Sequence, residues 1–326
     1  MTWEELDWSI LDRLRERFLR GGADGPYWQT PEDLAHYDFT YAERIGWKWD
    51  AVTDELRRRG WRPPPGPLLD WGCGSGVAGR RVLSAWPEEL TSLSCWDHSA
   101  LARDYAAARA RAAWPAREIA ATANPSEAPA STLVVSHVLN ELDALGRGAL
   151  IEAIERAEAV LWVEPGTSDV ARDLVGWRER WRQTFRFVLP CPHQAVCGLL
   201  LPGNERHWCH HYAPPPPGIF ADSRWVRFGQ RAGIDLRSLP YAVLVMERIH
   251  RPETAPLPAD AARILGRPEH FKPYARFLNC DATGVRELTY PKRGDPVVHR
   301  RLDRAEAPRL WRWERDDRSI RSGETL

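Results

Sequence analysis

The sequence predicts an α/β protein built on a parallel sheet, with a helical segment before the sheet and a cysteine-rich lobe after it. Three observations lead to this prediction. Short apolar runs alternate with helical segments from Leu68 to about residue 175, as in strands joined by crossover helices. A glycine-rich turn follows the first apolar run. Three cysteines and four histidines are concentrated in residues 189–211.

Composition excludes several classes of protein. The 326 residues carry 45 Lys+Arg and 45 Asp+Glu, so the formal net charge is zero and a uniformly basic nucleic-acid-binding surface is excluded. We therefore expect no DNA partner, and we expect a monomer. Six cysteines in a chain of this length do not form a disulfide scaffold; clustered cysteines in a reducing compartment more often bind metal or carry redox chemistry.

The sequence contains no membrane-spanning pattern. No apolar run approaches the roughly 18 residues that a membrane helix requires. The first ten residues, "MTWEELDWSI", are acidic and amphipathic, unlike a secretory signal or a transit peptide. We therefore predict a cytoplasmic protein that is not in the membrane.

Three regions are predicted along the chain. Residues 1–62 read as a helical N-terminal segment, because "WSILDRLRERFLRG" and "YAERIGWKWDAVTDELRRRG" place apolar residues three and four apart. Residues 63–175 form the Rossmann-like core. Residues 176–326 form a cysteine-rich metal-binding lobe that also supplies the last sheet strands, including "YAVLVMER". Residues 189–211, which we call the cysteine loop, are then an insertion before those strands.

The turn "LLDWGCGSGVAG" predicts a cofactor site. Gly72, Gly74 and Gly76 allow a tight turn and a close approach of the backbone to a ligand. A dinucleotide site would use G-x-G-x-x-G around a pyrophosphate, whereas these glycines alternate strictly and Asp70 precedes them. An acidic group there favours a cationic ligand without phosphate, such as S-adenosylmethionine. Asp97, 23 residues after Gly74, is placed to accept hydrogen bonds from ribose hydroxyls.

These motifs resemble the first two motifs of class I S-adenosylmethionine-dependent methyltransferases. The resemblance implies that "SHVLNEL", with Ser136 and His137, occupies the loop after the fourth strand and borders the adenosine. His137 or Glu141 is an alternative candidate for a general base. The loop lacks the Asn/Asp-Pro-Pro-aromatic motif of nucleic-acid N-methyltransferases, so the sequence identifies no catalytic residue.

Four cysteines lie outside the predicted core, at Cys191, Cys197, Cys209 and Cys280, with spacings C-x5-C-x11-C and then 70 residues. Four thiolates suit structural zinc and iron–sulfur clusters, and the spacing favours neither. The histidines His193, His207, His210 and His211 keep a mixed Cys/His zinc site open. Buried structural cysteines and a catalytic thiol remain as alternatives.

Taken together, the motifs resemble the methyltransferase-like assembly factors of the mitochondrial small ribosomal subunit and their bacterial relatives. The resemblance runs from about residue 35 to about residue 300 and includes "LLDWGCGSGVAG", "PCPHQAVC", "HWCHHY" and "FLNCDATGVRELTYPKRG". It implies a [4Fe-4S] cluster on Cys191, Cys197, Cys209 and Cys280. It also implies binding of S-adenosylmethionine and association with ribosomal RNA of the small subunit. The role is then either assembly of the subunit or methylation of its RNA.

A basic stretch near the end of the chain is a candidate for RNA contact. Its cations are Lys292, Arg293, His299, Arg300, Arg301 and Arg304. The alternative is a solvated surface balanced by Asp295, Asp303 and Glu306. The competing function is a stand-alone methyltransferase on a protein or small molecule, with a structural zinc site in place of the cluster.

Overall fold

The computed structural model describes residues 1–19, 27–302, 304 and 308–326. Two compact units are present, each made of two segments. The first unit consists of Met1–Val163 and Pro215–Leu239, and the second of Glu164–Pro214 and Pro240–Leu326.

The described helices are α1 (Trp8–Leu19), α2 (Pro31–Phe39), α3 (Tyr41–Arg58), α4 (Val77–Ala85), α5 (Ala100–Ala113), α6 (Ala144–Arg156), α7 (Ser168–Trp181), α8 (Ser223–Ala232) and α9 (Pro296–Arg301). A short 3₁₀ helix occupies Gly198–Leu200. The described strands are β1 (Gly66–Trp71), β2 (Leu90–Trp96), β3 (Glu118–Ala121), β4 (Thr132–Ser136), β5 (Ala159–Pro165), β6 (Phe185–Leu189), β7 (His211–Tyr212), β8 (Pro240–Arg248), β9 (Ala261–His270), β10 (Tyr274–Asp281), β11 (Gly284–Pro291), β12 (Leu310–Asp316) and β13 (Ser319–Thr325).

A parallel sheet forms the centre of the first unit. Its strands lie in the order β3-β2-β1-β4-β5, and in β1 Asp70 is opposite both Cys95 of β2 and Val134 of β4. Strands β4 and β5 are almost wholly buried, which explains their continuous apolar sequences. The strand order reverses between β1 and β4, so the carboxyl ends of these strands open a crevice suited to a ligand.

Several helices of the first unit begin at side chains that cap them. The Thr30 hydroxyl accepts from the N–H of Asp33 at the start of α2, and Pro31 occupies the first helical position. Ser99 and Asp143 cap α5 and α6 in the same way. Capping satisfies backbone N–H groups that no preceding turn can satisfy.

The second unit contains strands of two sheets. In one, β8 pairs antiparallel with β6 and β7. In the other, five strands close on themselves in the order β10-β11-β13-β12-β9, with β11 and β13 parallel and the other pairs antiparallel. We call it the closed sheet. Its interior holds a cluster of buried side chains formed by Ile264, Ala275, Phe277, Leu288, Tyr290, Leu302, Trp311 and Ile320.

The helices and strands predicted between Leu68 and Pro165 are confirmed, as are the helices in the two quoted N-terminal segments and the strand at "YAVLVMER". The closed sheet was not predicted. The highly charged C-terminal sequence forms its last hairpin, β12 and β13. Within the described residues, no helix has the length and apolar character needed to cross a membrane.

Candidate functional site

The glycine turn lies at the carboxyl end of β1. The backbone N–H of Cys73 donates to the carbonyl of Trp96 at 2.9 Å, which ties the turn to the end of β2. Gly76 has φ +79°, and a Cβ there would lie 2.8 Å from the Cβ of Ala106 on α5. A side chain at this position would therefore strain the backbone and also push α5 away.

Asp97 holds the turn through both carboxylate oxygens. Oδ2 accepts from the N–H of Gly74 at 2.9 Å, and Oδ1 accepts from the N–H of Ser99 at 2.9 Å. Asp97 is buried apart from the face that lines the crevice. The carboxylate is therefore fixed in orientation at the position expected for a contact with ribose hydroxyls.

Asp70 lies beneath the turn. Its carboxylate is fully buried, and Oδ2 accepts from the N–H of Gly79, in the first turn of α4, at 2.9 Å. Burial raises the pKa of Asp70 to about 7, while the bond from Gly79 and the charge of Arg80 oppose the shift. Asp70 is not part of the crevice wall, so its role is to hold the start of α4 against the turn.

The raised pKa of Asp70 gives a testable pH dependence. Between about pH 4 and pH 7 the folded protein binds more protons at Asp70 than the unfolded chain does, so its contribution to stability is lost as the pH rises through the folded pKa. Asp70→Asn keeps an oxygen that accepts from Gly79 but cannot ionise. We therefore expect the stability of this variant to fall less as the pH rises. Thermal melts from about pH 5 to pH 8 measure it.

The exposed Asp104 on α5 provides the control, because Asp104→Asn removes a solvated carboxylate. An Asp70→Asn variant whose melting temperature falls with pH as steeply as that of the unmodified protein would contradict the assignment.

The crevice has a volume of about 370 Å³ and brings together most of the predicted cofactor residues. Gly72, Gly74, Asp97, Ser136 and His137 line it, whereas Asp70 and Gly76 do not. Its described lining includes the carboxylates of Asp97, Glu141 and Asp143 but no lysine or arginine. The crevice therefore suits a cationic ligand better than a phosphorylated one.

The loop after β4 is held by hydrogen bonds from α3. The indole Nε1 of Trp49 donates to Ser136 Oγ at 3.0 Å, and Lys48 Nζ lies 3.1 Å from His137 Nε2. Burial, together with the positive charges of Lys48 and Arg44, lowers the pKa of His137 well below its usual value. The imidazole is therefore neutral and its Nε2 faces an ammonium group, which makes His137 a weak base.

Glu141, the other candidate base, also lines the crevice. Burial and the nearby charge of Asp97 raise its pKa, although the exposure of its side chain to solvent weakens this effect.

Aromatic side chains from the N-terminal helical segment also line the crevice, and they are not among the predicted cofactor residues. They are Phe18, Tyr27, Trp28 and Tyr37. Trp71 and Trp96 lie at the ends of β1 and β2, with their ring centroids 4.6 Å apart. The clustering of aromatics in "PYWQTPEDLAHYDF" is the signal that could have pointed to this wall.

The four predicted cysteine ligands line one small cavity of about 30 Å³ in the second unit. Cys191, Cys197 and Cys209 come from the loop between β6 and β7, and Cys280 comes from β10. Even so, no group of three or more His, Cys, Asp or Glu side chains in the described parts of the chain is arranged closely enough to hold a metal ion. The metal-binding character predicted for this lobe is therefore not shown.

Helix α7 positions the cysteine loop. The guanidinium of Arg178 is buried and donates from Nε to Cys191 Sγ at 3.1 Å and from Nη2 to the carbonyl of Ala195 at 2.8 Å. The neighbouring Glu179 accepts from the N–H of Cys197 at 3.0 Å. A cation and a carboxylate from one helix thus hold two of the cysteines.

The thiols are embedded in low-dielectric surroundings. Burial raises the pKa of Cys197 to about 11 and raises those of Cys209 and Cys280 well above their usual value. The proximity of Cys191 raises all three further, while Arg178 favours the thiolate of Cys197 and Cys209. These three thiols therefore stay neutral unless a cationic group joins them.

The histidines of the loop divide into two pairs. His193 Nε2 lies 3.5 Å from Cys280 Sγ, and His211 Nε2 lies 3.7 Å from Cys209 Sγ. His210 stacks on Trp208, and His207 accepts from Arg206. The first pair borders the thiols, whereas the second pair has other partners.

The basic stretch is divided by burial. Lys292, Arg293, Arg300, Arg301 and Arg304 are exposed, whereas His299 is buried and therefore does not face a solvent-borne ligand. Of its proposed acidic counterweights, Asp295 caps α9, while Asp303 and Glu306 lie outside the described residues.

The strand order, the glycine turn and the acidic residue ending β2 define a Rossmann-like α/β fold of the methyltransferase type. Residues 42–215 match the sequence model of a family described as mitochondrial small ribosomal subunit Rsm22. The chain therefore belongs to the Rsm22 family. No curated protein matches it.

Several solved structures are similar to this one. The plantazolicin methyltransferase BpumL has 12% identity, with a TM-score of 0.41 and coverage of 74% of this chain and 98% of that one. An O-methyltransferase family protein from Burkholderia thailandensis has 18% identity, a TM-score of 0.39 and coverage of 74% and 68%. Magnesium protoporphyrin IX methyltransferase from Synechocystis PCC 6803 has 15% identity, a TM-score of 0.36 and coverage of 74% and 95%.

Proposed function

We propose that this protein is an S-adenosylmethionine-binding, methyltransferase-like factor of the small ribosomal subunit that carries a [4Fe-4S] cluster. The observation that carries the cofactor assignment is the charge of the crevice, which is lined by three carboxylates and, among the described residues, by no lysine or arginine. S-adenosylmethionine brings a sulfonium and an ammonium group to such a site and brings no phosphate.

The buried Asp70 supports the same choice of ligand. In a dinucleotide site the N-terminus of the first helix binds a pyrophosphate through free N–H groups. Here the N–H of Gly79 in α4 is already bonded to Asp70, and the carboxylate occupies the positive end of the helix dipole. A phosphate at this position would find the N–H of Gly79 already bonded and would be repelled by the nearby carboxylate of Asp70.

The remaining lining residues suit the rest of the ligand. Asp97 is oriented to accept from ribose hydroxyls, and Trp71 and Trp96 provide apolar surface beside the turn. Because His137 is a poor base, we assign it and Ser136 to the wall that borders the adenosine rather than to proton transfer.

Isothermal titration calorimetry with S-adenosylmethionine tests this assignment. We expect Asp97→Asn to weaken binding by about tenfold or more, because it removes a charged acceptor. The single amide oxygen can still accept from Gly74, whereas the bond from Ser99 is lost. Asp104→Asn, which removes an exposed carboxylate from α5, is the matched control and should bind normally. Tighter binding of NADH than of S-adenosylmethionine would overturn the proposal.

The kind of donor side chains in the cysteine cavity supports a soft metal centre, although their arrangement in this structure is not that of a bound site. Four thiols converge on one apolar pocket whose lining also includes the cations Arg178 and Arg263, and both favour the thiolate form of Cys209. Such a donor set is typical of iron–sulfur clusters and structural zinc. Cys191, Cys197, Cys209 and Cys280 would hold the cluster, which when bound would join the loop to β10 and supply a one-electron couple.

Metal analysis after anaerobic purification tests the cluster. We expect a brown protein with about four iron atoms per chain, and loss of iron and colour in Cys280→Ser. Cys95→Ala, in β2, is the control and should retain the iron. A colourless protein with one zinc would instead support the stand-alone methyltransferase with a structural zinc site.

The ribosomal partner follows from membership of the Rsm22 family. We expect the protein to sediment with particles of the small ribosomal subunit and to crosslink to their RNA. Absence from these particles at low salt would contradict this part of the proposal. The cytoplasmic location and the monomeric state remain predictions.

A further inference from the structure

The closed sheet has the connectivity of an oligonucleotide-binding barrel. If β9 to β13 are counted as strands one to five, their order around the barrel is 1-2-3-5-4, with the fourth strand beside the first. Strands three and five are parallel, and α9 lies between strands three and four. Barrels of this type bind oligonucleotides on the outer face of strands two and three, between the loops that join strands one to two and four to five.

Half of that face is already covered in this protein. Leu278, Cys280 and Val285 on β10 and β11 pack against the cysteine loop. A Cβ on Gly198 of the loop would lie only 2.5 Å from the backbone nitrogen of Val285, which shows how closely the two surfaces meet. Only the other half of the face is available for a ligand.

The open half contains a shallow cavity of about 670 Å³. It is lined by Pro273, Tyr274, Thr289, Pro291, Lys292, Arg293 and Pro296. The N–H of Lys292 donates to the carbonyl of Pro273 at 2.9 Å, and the N–H of Thr289 donates to that of Arg318 at 2.9 Å. These bonds hold the first-to-second loop and the fourth-to-fifth turn against the end of β11.

Aromatic and planar groups are grouped at this end of the face. The ring of Phe271 is 39% exposed, an unusual position for phenylalanine, and lies 4.9 Å from the ring of Tyr274. The guanidinium of Arg276 lies 5.2 Å from the Phe271 ring centroid. Unpaired bases stack on aromatic rings and on arginine planes of this kind.

The charge of the open half is positive. Lys272, Lys292 and Arg293 are exposed, and no ion pair is described for any of them. Two nearby carboxylates, Glu269 on β9 and Glu287 on β11, are paired with Arg276. The nearby Asp295 is bonded to backbone N–H groups of α9, and Asp316 is paired with Arg321.

We propose that this open half of the closed sheet, formed by Phe271, Lys272, Tyr274, Lys292 and Arg293, binds a segment of single-stranded RNA. Bases stack on the aromatic pair while the cations contact phosphates. The choice of RNA rests on the proposed association with the small ribosomal subunit, whereas the site itself does not depend on S-adenosylmethionine or on the cluster.

Fluorescence anisotropy of the full-length protein with a labelled single-stranded RNA of about 12 nucleotides tests the proposal. We expect Phe271→Ala to weaken binding by about tenfold, because it removes a stacking surface without disturbing the core. The double variant Lys292→Gln/Arg293→Gln should reduce the slope of log affinity against log salt by about 1.4, because two phosphate contacts are lost.

Arg57→Gln/Arg58→Gln on α3 removes the same charge from exposed positions of the other unit and is the matched control. Normal circular dichroism and unchanged binding of S-adenosylmethionine would show that each variant is folded. Equal affinity of the unmodified protein for a duplex of the same length, or unchanged binding by Phe271→Ala, would overturn the proposal. Either result alongside normal sedimentation with the small subunit would leave the ribosomal role intact and reject only this site.

Discussion

Replacement of Gly198 by alanine is expected to lower the free energy of unfolding by about 3 kcal/mol. The added Cβ would lie 2.5 Å from the nitrogen of Val285 and 2.8 Å from two backbone atoms of Gly284. All three obstacles are backbone atoms of β11, so no side chain can rotate away to make room. The cysteine loop and the closed sheet would have to separate.

The same separation should affect the cysteine cavity. Gly198 directly follows Cys197, and Cys280 is on β10, which pairs with β11. A shift of the loop therefore moves three of the thiols relative to the fourth. We expect Gly198→Ala to lose metal during purification as well as to melt at a lower temperature.

Gly176 in α7 provides a control of the opposite sign. It is exposed, and a Cβ there would meet no other atom within 4 Å. Alanine is favoured over glycine in a helix interior by roughly 0.5–1 kcal/mol, so Gly176→Ala should raise the melting temperature. Thermal melts of the two variants decide the matter, and an unchanged melting temperature for Gly198→Ala would mean that the loop does not pack against β11 as described.

Much of the first unit could be predicted because short stretches of its sequence carry patterns typical of single strands, helices and turns. A parallel strand buried on both faces is a continuous apolar run, and β5 with its neighbours satisfies this pattern. The glycines of the turn also indicate positive φ angles, which other residues rarely adopt. The role of Asp70 could not be predicted, because its spacing before the glycines is compatible both with facing a ligand and with bonding α4 from below.

The closed sheet was not predicted because its last two strands, β12 and β13, do not alternate regularly between buried and exposed residues. In β12 only Leu310 and Trp311 are fully buried, and in β13 only Ile320 is. The remaining positions are rich in charges that form pairs across the strands, such as Arg312 with Glu324. Such a sequence looks like a solvated tail until its partner strands are known.

The position of Cys280 beside the other cysteines also could not be predicted from the residues alone. Its place beside the other cysteines depends on β10 lying against a loop about 70 residues earlier in the chain, which no spacing rule expresses. The resemblance to a known family was needed to pair them, and the shared cavity now supplies an independent reason.

The second large effect is expected for Arg178→Met, which should destabilise the protein by about 3–5 kcal/mol. Arg178 is only 3% exposed, and its guanidinium contacts Cys191, the neighbouring Glu179 and the carbonyl of Ala195. It also lies 4.1 Å from the centroid of the Phe187 ring. Methionine fills much of the same volume but removes the donor to Cys191 and to the carbonyl of Ala195, and it removes one of the donors to Glu179.

The variant Arg178→Lys distinguishes the effect of the positive charge from the effect of the hydrogen-bonding pattern. A lysine keeps the positive charge near the thiols but cannot donate in the forked pattern that reaches a sulfur and a carbonyl together. We therefore expect a loss of stability between those of the unmodified protein and Arg178→Met. Arg180→Met on the exposed side of the same helix should change stability by less than about 0.5 kcal/mol.

Chemical denaturation of the four proteins, each with and without metal, measures these differences. If Arg178 stabilises mainly the loop backbone, the deficit of Arg178→Met persists in metal-free protein. If it acts mainly by offsetting the charge of thiolates, the deficit is larger when metal is bound, because a bound metal keeps its cysteine ligands in the thiolate form. Equal stability of Arg178→Met and Arg180→Met, both with and without metal, would show that the buried guanidinium stabilises neither the loop backbone nor the thiolates.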